Sequence, residues 1–146
     1  MLHPVEYIEK GIGLHNSIQN AGFHLVQIDG AWFADSADVQ ELIDGYTAEP
    51  LANELIVKIK LLAGEKIQEK YPQWKQLNML ARHAELMSLP EIGSSERTEI
   101  AALQAAWAWI KQVREASAVH EAALLALAAA GDFASLLGYD VSAHWL

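Results

Sequence analysis

Apolar residues recur at helical spacing over most of this chain, and the pattern is interrupted at a few points by glycine, proline or a polar cluster. Val5, Ile8, Ile12 and Ile18 fall near one face and predict a helix over residues 4–21, with Pro4 in its first turn and Gly22 ending it. Gly11 and Gly13 weaken the middle of that helix. Two short β-prone runs follow, His24–Ile28 and Ala31–Ala34, on either side of Asp29-Gly30. Asp-Gly between such runs signals a two-residue hairpin, because both turn residues take positive φ. That loop pairs Ile28 with Ala31, Gln27 with Trp32 and Val26 with Phe33, which predicts Val26, Ile28 and Phe33 as the face that packs.

Val39, Leu42 and Ile43 then mark a short helix over 36–44, capped by Asp35 or Ser36 and ended by Gly45. Leu55, Ile56, Ile59, Leu62, Ala63 and Ile67 predict a helix over 50–70. Tyr71-Pro72 breaks it, since proline disfavours helix in the residue before it and suits the first turn of the next. The next helix covers 72–88, with Trp74, Leu77, Leu80, Ala81, Ala84 and Met87 as its inward stripe and Trp74 as core. Leu89–Ser95 is a linker. A last long helix starts at about residue 96 and reaches Ala130 before Gly131. Its stripe is clean to Ile110, polar between Arg114 and Glu121, and apolar all round from Ala122. The expectation is a helix that packs at both ends and is exposed or broken in its middle.

The pattern therefore predicts a mainly α fold. An N-terminal helix and small β-hairpin precede a long antiparallel helical hairpin, 50–70 plus 72–88 against 96–130. Residues 1–47 and 48–146 are the two segments of one cooperative unit. Composition narrows the function. The chain has 146 residues, 52% of them hydrophobic, ample for a core. A net charge of -9 disfavours general binding to nucleic acid or to an anionic membrane. The absence of cysteine removes disulfides, thiolate metal sites and cysteine nucleophiles. The N-terminus Met1–Glu6 lacks the basic and apolar regions of a signal peptide.

No motif carries a chemistry. The six histidines show no zinc-binding spacing, no serine sits in a nucleophile elbow, and Gly11-Ile12-Gly13 follows no strand. The expectation is no enzyme, no metal and no cofactor. The aromatic residues say more. Trp107 and Trp109 lie about 200° apart around a helix, so one of them must meet something other than the inward stripe. The candidate protein-interface residues are Trp109, Leu125 in the all-round apolar segment, and Trp145 in the apolar tail. They point to a homo-oligomer.

Three blocks carry a resemblance: Val26 to Trp32 with Val39–Tyr46, then Tyr71–Arg82, then Leu103–Ser117. The runs Tyr-Pro-x-Trp-Lys-Gln-x-Asn-Met-x-Ala-Arg and Ala-x-Trp-x-Trp-Ile-Lys-x-Val-Arg-x-Ala-Ser resemble small tail and tail-fibre-associated proteins of tailed bacteriophages and prophages. The resemblance covers roughly residues 24–130 and leaves out both ends. It implies a non-enzymatic tail component, structural or assembly-related, that acts by protein–protein interaction. Its partner would be a phage tail or tail-fibre protein, in the host bacterial cytoplasm during infection or in the virion tail. The alternative is a small acidic phage-encoded effector that binds and inhibits a host defence or regulatory protein.

Overall fold

The computed structural model describes residues 1–146 as two compact units, 1–56 with 122–140 and 57–121 with 141–146. The chain is mainly helical, with a small antiparallel sheet near its N-terminus. Two long helices contribute to both units. They are Glu49–Lys70 and Ser94–Ala129, and with the other helices they take the names α1 (Ile12–Asn20), α2 (Val39–Gly45), α3 (Glu49–Lys70), α4 (Gln73–Met87), α5 (Ser94–Ala129) and α6 (Phe133–Leu137).

The first unit departs from the sequence reading at its start. Residues 4–21 are not one helix. His3–Val5 form strand β1, which pairs with β3 (Ala31–Ala34), and β3 pairs with β2 (Leu25–Ile28). The sheet order β1-β3-β2 leaves β1 on an edge, where Pro4 lacks no ladder bond that the sheet requires. Helix α1 begins only at Ile12 because Gly11 has φ 91°, outside any helix. The hairpin has the predicted register, and Asp29 (φ 51°) and Gly30 (φ 83°) supply the two positive dihedrals. Its packed face is the opposite one. Leu25 and Ala34 point into the core with Val5, whereas Val26 and Ile28 are exposed. The third strand extends that face, since it carries Val5 opposite Trp32 and His3 opposite Ala34.

Leu14, Ile18, Ala34, Val39 and Ile43 form the centre of this unit. Asp38, not Asp35 or Ser36, stands at the N-cap of α2, and Ser36 Oγ accepts from Asp38 N at 3.2 Å. A buried lysine closes the other end of that helix. Lys10 Nζ donates to the carbonyls of Ile43 (2.7 Å) and Tyr46 (3.1 Å) and lies 4.9 Å from the centre of the Phe133 ring. Asp132 caps α6 by accepting from Ser135 N, and Leu136 is buried. Ala122–Ala130, apolar all round, is covered on one side only within the single chain. Leu124 is buried, Leu127 and Ala128 are half-buried, and the remaining residues, Leu125 among them, are exposed.

In the second unit, Ala63 and Ile67 of α3 pack on Ile110 and Val113 of α5. Helices α4 and α5 form the expected hairpin. It is pinned by Arg82, which meets Glu99 through two bonds (Nε to Oε1 2.6 Å, Nη2 to Oε2 3.0 Å) and Glu85 through one (3.0 Å). Helix α5 is unbroken through its polar middle, contrary to expectation. Val113, Ser117 and His120 continue the buried stripe there. The segment 141–146 returns over it. His120 Nε2 donates to the Ala143 carbonyl (2.8 Å), the Trp145 ring lies 5.1 Å from the His120 ring, and Trp145 Nε1 donates to the Val141 carbonyl (2.8 Å). A polar stripe is thus buried with its hydrogen bonds made.

Candidate protein interface

Trp107 and Trp109 resolve the problem of two opposed indoles by meeting two different helices. Trp107 stands edge-on to His83 of α4 (ring centroids 5.1 Å, 82°). Trp109 stands edge-on to Tyr71 (5.6 Å, 62°), and Lys70 Nζ lies 4.3 Å over its ring. Both indoles are half-buried. Trp109 and Trp145 flank the same cluster, Ala63, Ile67, Ile110 and Val113. Trp109 also lines an open cleft of about 410 Å3 with Lys66, Glu69, Lys70, Val113 and Leu146. So two of the three candidate interface residues come together. Leu125 lies in the other unit, half-exposed on α5.

An outward apolar stripe lies where the sequence pattern placed core. Trp74 is 65% exposed, Leu77 58%, Leu80 55% and Met87 57%, and Ala81 and Ala84 between them are exposed as well. Helix α4 instead buries Met79 and Leu86, with Gln76 and His83 half-buried beside them. At 100° per residue the exposed six span an arc of about 140°, centred about 130° from the buried four. Trp74 therefore does not anchor the hinge. Tyr71 does so alone, with the Gln76 side chain donating to its carbonyl (2.6 Å). The reason is geometric. Arg82 and His83 reach α5 from the Met79–Leu86 side, and this fixes which face of α4 turns inward. Grouped apolar exposure, unlike scattered single side chains, is where an interaction site is sought.

The remaining clusters offer little chemistry. The Tyr7 hydroxyl is hydrogen-bonded to His15 Nε2, and Trp32 stacks on the pair (4.6 Å from the Tyr7 ring) beside a cavity of about 240 Å3. Burial, and then the charge of Glu9, push the Tyr7 hydroxyl pKa up. His15 has no hydrogen-bonded carboxylate to orient it as a general base. Asp35 accepts from both the amide and the ring of His24 (2.9 Å each), and the amide bond above all holds its carboxyl below the usual range. No three His, Asp or Glu side chains converge to hold a metal ion. No helix is long and apolar enough to cross a membrane.

Charge is divided unevenly. The unit formed by residues 1–56 and 122–140 carries eleven acidic residues and one basic residue, the buried Lys10. The other unit carries eight acidic and nine basic residues. Compared with known family models, curated proteins and solved structures, the chain gives no match.

Proposed function

We propose that the protein is a non-enzymatic component of a phage or prophage tail, structural or assembly-related, and that it works by binding protein. The observation that carries this reading is the outward stripe of α4 from Trp74 to Met87. Four of its six residues, Trp74, Leu77, Leu80 and Ala81, lie in the run Tyr71–Arg82 that resembles tail and tail-fibre-associated sequences. An apolar stripe on a pinned helix suits contact with a protein surface, where a large aromatic and neighbouring aliphatic side chains supply most of the binding energy. The half-buried Trp109 lines a second candidate area, the open cleft it shares with Lys66, Glu69 and Lys70.

The test is the fate of the chain in lysates of the phage or prophage that encodes it. A tagged chain should bring down a tail or tail-fibre protein, identified by mass spectrometry, or be present in purified particles. Absence from particles together with recovery of a host protein alone would overturn the tail reading. That outcome would favour the small acidic effector, for which the eleven acidic residues of the first unit are the supporting observation.

A further inference from the structure

The outward stripe of α4 has a symmetry of its own. Its six residues stand at 74, 77, 80, 81, 84 and 87, and these positions are symmetric about the point between Leu80 and Ala81. We infer that the stripe is occupied by the same stripe of a second copy, the two α4 helices running antiparallel about a two-fold axis through that point. This rests on reading the α4 stripe as the chain's contact surface and names its occupant.

Three observations carry it. A two-fold axis makes residue i of one copy face residue j of the other and j face i, which a stripe symmetric about its midpoint satisfies along its whole length. The side chains that meet are also complementary in size. Leu77 faces Ala84, Leu80 faces Ala81, and Trp74 faces Met87, so each layer sets a large group against a small one or a flat ring against a flexible thioether. A parallel pairing would set Leu77 on Leu77 and Ala81 on Ala81, giving layers of unequal thickness. The same antiparallel register brings exposed Gln73 opposite exposed Ser88, a polar rim at each end. Third, the exposed fractions of these side chains amount to on the order of 500 Å2, a large share of the roughly 800 Å2 that each partner buries in a standard interface.

The absence of cysteine makes the arrangement directly measurable with single-cysteine variants. Under mild oxidation, Ala81→Cys should form a disulfide-linked dimer, because residue 81 lies beside the axis. Met87→Cys should not, since in this register its two copies stand about 20 Å apart along the helices. Sedimentation velocity should give a dimer for the parent. Leu77→Glu with Leu80→Glu should weaken association by about 100-fold or more, with helical circular dichroism unchanged because both side chains are exposed in the single chain. A parent that stays monomeric at high concentration overturns the proposal. So does a dimer that survives the double substitution, or cross-linking of Met87→Cys as readily as Ala81→Cys. A monomeric parent that still captures a tail protein, and loses it on the double substitution, overturns the second copy as occupant while leaving the stripe as a contact surface.

Discussion

The hydroxyl of Tyr46 rests against the backbone of Gly13, in the space where a Cβ on residue 13 would have to lie. Gly13 is helical, so its value is room and not dihedral freedom. Gly11, two residues earlier, is needed for its φ of 91°. Gly13→Ala should therefore cost about 1–3 kcal/mol through overpacking. Removing the oxygen should relieve it, since the ring carbon behind it would stand 3.4 Å from the new methyl, an ordinary contact. Urea denaturation of Gly13→Ala, Tyr46→Phe and the double variant should give a double variant more stable than Gly13→Ala alone.

The turn of the hairpin makes a second demand on the backbone. Gly30 has φ 83° with nothing within reach of an added Cβ, so a substitution there is strained by conformation alone. Gly30→Val should destabilise by about 1–3 kcal/mol. An unchanged thermal midpoint would contradict the two-residue turn.

The buried middle of α5 depends on His120. Replacing it with alanine removes the bond to the Ala143 carbonyl and the ring on which Trp145 packs. His120→Ala should lower stability by about 2–4 kcal/mol and free the segment 141–146, seen as faster amide exchange there than in the parent. Protection of 141–146 unchanged by the substitution would contradict the account.

Acid should weaken the fold through three carboxylates. Asp35 is held low chiefly by the amide of His24, Glu99 by Arg82 and Asp132 by Ser135. Each has a folded pKa below its ordinary value of 3.8 (Asp) or 4.5 (Glu). Their contribution is complete above those ordinary values and is lost as pH falls through the depressed ones. Because none of the three is buried, the effect is small and screened by salt. Glu99→Gln should lower stability at neutral pH and flatten its decline below about pH 4, as read from thermal midpoints over pH 2–7 at low salt.

Much of the architecture was legible because it is set locally. Asp29-Gly30 fixed the register of β2 and β3, and Tyr71-Pro72 fixed the break between α3 and α4. What failed depended on partners distant in the chain. Nothing near Pro4 reveals that His3 will pair with Ala34. Nothing near His120 reveals that residues 141–146 will cover it. Lys10 sits in an unremarkable stretch, and its role as a buried cap on α2 leaves no local signal. Helix α4 is the informative failure. Both of its faces hold apolar residues, and periodicity chose the broader one as core. The narrower face, Met79 and Leu86, is the one that α5 takes. Trp74 was assigned to the core and is exposed, whereas Trp109 and Trp145, picked out for interface, are half-buried beside one cluster, which leaves part of each ring for a partner.

The three methionines measure the central claim most directly, because they occupy three different environments. Met1 is fully exposed, Met79 is buried, and Met87 lies at one end of the outward stripe of α4, with the oxidisable Trp74 at the other end. Hydroxyl-radical oxidation followed by mass spectrometry would read all of them in one sample. If the stripe is a contact surface, Met87 and Trp74 should be oxidised readily in the Leu77→Glu, Leu80→Glu variant and protected in the parent at high concentration or in its lysate complex. Met1 should stay reactive and Met79 shielded throughout. Equal oxidation of Met87 and Trp74 in parent and variant under every condition would contradict the claim that this face of α4 binds protein.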